Sequence, residues 1–192
     1  LPTGYSADQF WDWCCLPENE ERAFELDRGT VIERPYPGYK AHGLVCGLVN
    51  LRAASYLGPR GRGCGLSNNV GFWIEHDPDT VFCPDFAMYL DNPKRPMSDR
   101  FAMESPDLVV EVLDERDVRS SLPARASRFL NAGGRLVWLV DIEAKNVVVY
   151  SAPDVLEVLK STDELTGNGV LPDFRCRVAD LFSLPGQQPL TP

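Results

Sequence analysis

Three stretches decide the fold of this chain: CPDFAMYL (residues 83–90), SPDLVVEVLDERDVR (residues 105–119) and RLVWLVD (residues 135–141). The first two each carry an acidic residue among apolar ones, Asp85 near the start of the first and Glu111 inside the second. An unpaired carboxylate among β-branched side chains is costly to bury, so such a group is usually paired or binds a cation. These two acids are the sharpest functional signal in the sequence.

The same region predicts the centre of a β-sheet. Residues 107–113 are apolar on both faces, which is typical of a central strand. Residues 81–90 predict a strand interrupted by Pro84, which would hold Asp85 at a bend. The further predictions in this half of the chain are a helix at 122–132, strands at 136–141, 146–150 and 155–160, and a closing helical turn at 179–182.

The N-terminal half predicts a short amphipathic helix at 6–15, then a hairpin and a long helix. Residues 24–33 predict the hairpin around an Asp-Arg-Gly turn. Glu25 alternates with apolar neighbours, so we expect it on a solvated strand face. Residues 39–57 have helical spacing that would pack on a sheet. His42 lies in the first turn of that helix, where a satisfied or surface histidine is the better explanation of the residue alone.

This order of elements predicts a mixed β-sheet flanked by helices, in the α/β (α+β) class. A length of 192 residues with 44% hydrophobic content fits a single domain over residues 1–192. The polar residues 91–104, which contain prolines, are expected to form a mobile loop.

Composition narrows the functional classes. The net charge of −9 and the pI near 4.7 argue against a general electrostatic grip on nucleic acid, although a local basic groove stays open. No apolar run of about 18 residues is present, so we expect no membrane span. The six cysteines contain no C-x-x-C pair, which argues against a structural zinc site, and Cys46 and Cys83 are expected to be small core residues. Without a secretory signal, we expect a cytoplasmic protein.

Two carboxylates from neighbouring strands, aimed at one point, suit a hard divalent cation. Mg²⁺ prefers oxygen ligands and keeps waters that can act on a phosphate. Arg125, on the helix after the Glu111 strand, could offset the charge that builds on the phosphoryl oxygens. On these residues alone, ordinary surface carboxylates and a helix-face arginine are the stronger explanation.

Several motifs, taken in order, resemble the Uma-two family, which is described as bacterial restriction endonucleases and placed in the PD-(D/E)XK nuclease superfamily. The similarity covers most of the chain and rests on FELDRGTVIE, His42, CPDFAMYL, PDLVVEVL, RFLNAGGRLVWLVD and LPDFRCRVADLF. The resemblance implies a restriction-endonuclease-like mixed β-sheet core flanked by helices. It also implies a Mg²⁺- or Mn²⁺-dependent endonuclease that hydrolyses phosphodiester bonds in DNA, with a homodimer as an open alternative to a monomer.

The matching positions imply the site residues. Asp85 and Glu111 would bind the metal together with the backbone carbonyl of Val112, and His42 would stand beside them. The motif lysine is absent, and the family supplies it from the next helix, where this chain has Arg125. Arginine keeps the positive charge but cannot release a proton at working pH. Leu113 occupies the position of the lysine in the superfamily motif. The further departures from the family are Ser121 for an acidic residue, Phe129 for a tyrosine and Leu136 for a glutamate.

Three hypotheses therefore compete. The first is a magnesium-dependent nuclease. The second is a nuclease-like module that has lost catalysis and serves in binding or assembly, which the acidic net charge and the missing lysine favour. The third is an acidic domain whose carboxylates are only salt-bridged, and pairing of Arg125 with Glu111 without room for a cation would favour it.

Overall fold

The computed structural model of the protein describes residues 1–34, 39–91 and 100–183. The helices are α1 (Ala7–Cys14), α2 (Lys40–Leu57) and α3 (Leu122–Asn131). The strands are β1 (Phe24–Asp27), β2 (Thr30–Glu33), β3 (Cys64–Ser67), β4 (Phe72–Glu75), β5 (Thr80–Phe82), β6 (Phe86–Tyr89), β7 (Leu108–Leu113), β8 (Leu136–Asp141), β9 (Asn146–Ala152), β10 (Val155–Lys160), β11 (Glu164–Thr166) and β12 (Arg175–Arg177).

The larger sheet is mixed, as the order of elements predicts. Among the described residues its strand order is β10-β9-β8-β7-β6-β3. β7 runs parallel to β8, and the other neighbours pair antiparallel. Every residue of β7 is buried, so the prediction of a central strand at 107–113 is confirmed.

Helices cover both faces of this sheet. Because side chains alternate along a strand, Val110 and Val112 face α2, whereas Val109 and Leu113 face α3. Glu111 therefore lies on the α3 side of the sheet. The buried face of α2 is formed by Val45, Leu48, Val49, Ala53 and Tyr56. Leu51, on the same helix, is 46% exposed and does not belong to this face.

A smaller sheet, with the order β2-β1-β5-β4 among the described residues, packs beside α1. Its hairpin turns at Arg28 and Gly29, whose φ angles of 48° and 75° lie in the left-handed region that favours glycine. The predicted hairpin is therefore confirmed, and α1 begins with a capping box between Ser6 and Gln9.

The break at Pro84 has a structural consequence. β5 before it belongs to the smaller sheet, and β6 after it belongs to the larger one. Asp85 is the last residue before β6, so it lies where the chain passes from one sheet to the other. The bend that the proline predicts is thus the junction between the two sheets.

Other predictions have mixed outcomes. The strand at 155–160 is confirmed as β10, an edge strand with exposed apolar residues, and a short 3₁₀ helix spans Val178–Leu181. The short strands β3, β11 and β12 were not predicted. Most of the predicted loop at 91–104, residues 92–99, lies outside the described residues. Of the helices in the described ranges, none combines the length and the hydropathy that a membrane span needs.

Candidate functional site

Two acids and one guanidinium form a buried ion cluster between the two sheets, which we call the Arg125 cluster. Arg125 Nη1 and Nη2 donate to both carboxylate oxygens of Glu25, at 2.8 and 2.7 Å. Arg125 Nε donates to Glu111 Oε1 at 2.7 Å. The guanidinium also stacks on the ring of Phe82, 4.2 Å from its centroid. One arginine on α3 thus joins β1 of the smaller sheet to β7 of the larger one.

The burial of Glu25 corrects a prediction. Glu25 does point away from Phe24 and Leu26, but this face of β1 meets α3 and the end of β5 instead of solvent, and the residue is only 5% exposed. Its Oε1 also accepts the backbone N–H of Cys83 at 2.6 Å. Burial disfavours ionisation, but the charge and hydrogen bonds of Arg125 outweigh it and lower the pKa of Glu25.

For Glu111, unlike Glu25, the cost of burying the charge exceeds the stabilisation of the anion by nearby cations. Glu111 is 3% exposed, and burial raises its pKa to about 7 although Arg125 and Arg34 both favour the anion. Its second oxygen, Oε2, lies 3.9 Å from Arg34 Nη2 and accepts no hydrogen bond from any described residue. The carboxyl therefore lacks part of the positive charge or hydrogen bonding that its anion needs.

Asp85 is held from two sides. Its Oδ2 accepts the backbone N–H of Val112 at 2.8 Å, and its Oδ1 lies 3.4 Å from His42 Nε2. Burial opposes ionisation, but His42 and Arg34 outweigh it and lower the pKa of Asp85. In turn, hydrogen bonding to Asp85 and then to Cys46 raises the pKa of His42 to about 10. These contacts place the Asp85 carboxylate beside the residue that follows Glu111.

A cleft of about 560 Å³ opens in front of Asp85. Asp85, His42 and Arg34 are part of its wall. Of the predicted site residues in the described ranges, Glu111, Val112 and Arg125 do not line this cleft but lie behind its wall. The structure therefore brings all five predicted residues together, with Asp85 and His42 in front and the others behind.

Arg34 is a residue of this site that the sequence did not reveal. It directly follows β2, and its guanidinium donates to the carbonyl oxygen of Cys83. It also lies 3.4 Å from Glu25 Oε1 and, through its charge, interacts with Asp85 and Glu111. No local signal marks it, because an arginine at the end of a hairpin strand is ordinarily a solvated residue.

Cys46 is the second such residue. It lies one turn after His42 on α2, and its Sγ is 3.5 Å from His42 Nδ1. It is half-buried at the cleft wall rather than enclosed in the core, whereas Cys83 is buried as expected. The i, i+4 spacing of His42 and Cys46 is the signal that would have paired them.

Comparisons with known proteins add a family and a fold. The family model Uma2, described as "Putative restriction endonuclease", matches residues 7–179. Among solved structures, the chain is similar to a "putative nuclease belonging to DUF820" from Anabaena variabilis, with 20% identity and a TM-score of 0.77. That match covers 93% of this chain and 97% of the other. No curated protein matches.

Proposed function

Because the chain belongs to the Uma2 family, we propose that it is a metal-dependent nuclease that hydrolyses phosphodiester bonds in DNA. The observation that carries this proposal is the hydrogen bond from the Val112 N–H to Asp85 Oδ2, at 2.8 Å. This bond joins the residue before β6 to Val112, the residue that follows Glu111 in β7, and so supports the pairing of Asp85 with Glu111 as metal ligands.

The residues present fit a hard divalent cation such as Mg²⁺ or Mn²⁺. Asp85 supplies a carboxylate whose pKa is lowered, and Glu111 Oε2 is an acceptor without a hydrogen bond among the described residues. The N–H and C=O of one strand residue point to the same side, so the carbonyl of Val112 faces the Asp85 side of β7. Oxygen donors of this kind are the ligands that Mg²⁺ prefers.

A bound cation would supply polarisation of the phosphate and a more acidic water. The protein residues have separate tasks around it. The Val112 N–H orients Asp85, and Arg125 orients Glu111 through its Nε. Both acids therefore point in directions set by the sheet and by α3 before any ligand enters.

In this proposal, Arg34 offsets the negative charge that builds on the phosphoryl oxygens. The resemblance implies Arg125 in that role, but Arg125 donates to both oxygens of Glu25 and to Glu111 behind the cleft wall. Arg34 lies in the cleft wall and keeps partial exposure. A guanidinium at that position suits a doubly negative transition state. Arg125 is then a positioning residue for Glu111.

A second candidate is a nuclease-like binding or assembly module without catalysis. The contact of 2.7 Å between Arg125 Nε and Glu111 Oε1 counts against catalysis, because one of the predicted metal ligands is already neutralised, and it equally supports the third hypothesis of carboxylates that are only salt-bridged. The arginine at position 125 in place of the family's helix lysine and the net charge of −9 also count against catalysis.

The two candidates are separated by cleavage of plasmid and linear DNA with Mg²⁺ or Mn²⁺. We expect metal-dependent cleavage by the wild-type chain, and at least about 100-fold less by Asp85→Asn and by Glu111→Gln. Asp154→Asn is the matched control, because this aspartate is exposed in the turn between β9 and β10. Equal cleavage by Asp85→Asn would refute the assignment. Absence of cleavage and of millimolar Mg²⁺ binding by calorimetry would establish the module instead.

A further inference from the structure

Three side chains with different ligand atoms converge at the wall of the cleft. His42, Cys46 and Asp85 each offer an atom, and these atoms all lie within 4.8 Å of one another. His42 Nε2 is 3.4 Å from Asp85 Oδ1, and His42 Nδ1 is 3.5 Å from Cys46 Sγ. Within the described ranges, this is the group of histidine, cysteine and acidic side chains that has the spacing of a metal site.

We propose that His42, Cys46 and Asp85 form a binding site for a divalent transition metal of the zinc class. This site differs from the proposed magnesium site in two of its ligands and shares Asp85 with it. It is independent of whether the protein cleaves DNA.

The donor set selects the class of metal. Imidazole nitrogen, thiolate sulfur and carboxylate oxygen together are the ligands of Zn²⁺, whereas Mg²⁺ takes oxygen. Placement on α2 at i and i+4 puts His42 and Cys46 on one face of a helix, so both can approach the same ion. Asp85 reaches that point from the junction before β6.

The observed separations are near those of a bound ion. With bond lengths of about 2.0 Å to nitrogen and oxygen and about 2.3 Å to sulfur, tetrahedral ligands stand roughly 3.3–3.6 Å apart. Asp85 and Cys46 are already at this separation from the imidazole, each from a different ring nitrogen. An ion binds only one ring nitrogen, so closing the site requires that the His42 ring and the Cys46 side chain rotate until the same nitrogen faces both Asp85 and Cys46.

The surroundings suit a site with one open position. The Val112 N–H fixes the orientation of Asp85, as outer hydrogen bonds do for metal ligands elsewhere. On the other side lies the cleft, from which a water or a ligand could complete the coordination. Three protein ligands and an accessible fourth position are typical of exchangeable zinc sites rather than structural ones.

Because Asp85 belongs to both proposed sites, we expect an ion in one site to disfavour an ion in the other. A carboxylate turned toward His42 and Cys46 is withdrawn from an ion beside Glu111. If the proposed nuclease activity is correct, Zn²⁺ will therefore compete with Mg²⁺ and suppress cleavage, and excess Mg²⁺ will restore it.

The test uses Co²⁺ as a spectroscopic substitute for Zn²⁺, titrated into the full chain under reducing conditions. We expect one equivalent to bind with a thiolate-to-cobalt charge-transfer absorption, which Zn²⁺ then abolishes. Cys46→Ser should lose this absorption, and His42→Asn should weaken Co²⁺ binding by at least about tenfold. Cys15→Ser, which removes an exposed thiol elsewhere, is the matched control and should change neither.

The variant Glu111→Gln distinguishes a failure of the zinc site from a failure of the proposed nuclease function. This variant lacks a ligand of the proposed magnesium site, yet its Co²⁺ absorption should equal that of the wild type. Circular dichroism shows whether Cys46→Ser folds, and His42→Asn gives the answer if it does not. Lack of the charge-transfer band in the wild type, or its survival in both variants, would overturn the zinc site while leaving the nuclease proposal intact.

Discussion

Two neighbouring acids, Glu111 and Asp85, have pKa values that are shifted in opposite directions. In the Arg125 cluster, Glu111 is buried behind the cleft wall, and its pKa is raised to about 7. At the cleft wall, Asp85 has a lowered pKa and faces His42. Asp85 directly precedes β6, and Glu111 lies within β7, the neighbouring strand. Glu25 is buried almost as deeply as Glu111 but has a lowered pKa, because both of its oxygens accept hydrogen bonds from Arg125 and one also accepts the Cys83 N–H. Burial therefore raises a carboxyl pKa here only where, as in Glu111, the charges and hydrogen bonds around the anion do not compensate for it.

The largest expected effect concerns the buried Arg125 cluster. Arg125→Met should destabilise the fold by about 3–5 kcal/mol, because it leaves two buried carboxylates without their cation. The measurement is urea denaturation at neutral pH. Arg175→Met is the matched control, since its ion pair with Glu164 is exposed and is worth at most about 1 kcal/mol. Similar losses in both variants would mean that the Arg125 cluster contributes no more than a surface pair.

A smaller effect should appear in the pH dependence of stability. The pKa of Glu111 is about 7 in the folded protein and near 4.5 ordinarily, so the folded state holds the extra proton between these values. Stability should therefore fall as pH rises from about 4.5 to 7, by at most about 3 kcal/mol. Denaturation at pH 5, 6 and 7 should show this fall in the wild type and a flatter profile in Glu111→Gln. Parallel profiles would show that the Glu111 carboxyl does not titrate in this range.

The smallest effect concerns His42 and Asp85 at the cleft wall. Hydrogen bonding to Asp85 raises the pKa of His42 from 6.5 to about 10, so without a bound metal His42 stays protonated through neutral pH. Asp85→Asn should bring this pKa back toward its ordinary value, because the neutral amide favours the imidazolium less. An NMR titration of the two histidines measures this, with His76 as the internal reference. A pKa of His42 that is unchanged in the variant would show that Asp85 is not its principal partner.

Much of the architecture could be predicted from local patterns. The alternation in FELDRGTVIE, the run LVVEVL and the proline after Cys83 each correspond to an observed element. Short strands such as β11 and β12 were missed, since three residues carry too little periodicity to be recognised.

The site was predictable only in part. Asp85 and Glu111 stand out as acids in apolar strands, but nothing local distinguishes Glu25 from a solvated strand residue. Its partner Arg125 is 100 residues away in the chain. The same holds for Arg34, whose contacts with Cys83 and Glu111 come from distant strands.

The sequence by itself determined which strands and helices form and which acids lie in apolar surroundings, because hydrophobic periodicity and turn chemistry act between near neighbours. Only the tertiary structure decided which cation each acid meets. Glu111 met Arg125 and Asp85 met His42 because α3 and α2 cover opposite faces of one sheet. Pairing across such layers depends on packing between distant segments, which local spacing does not encode.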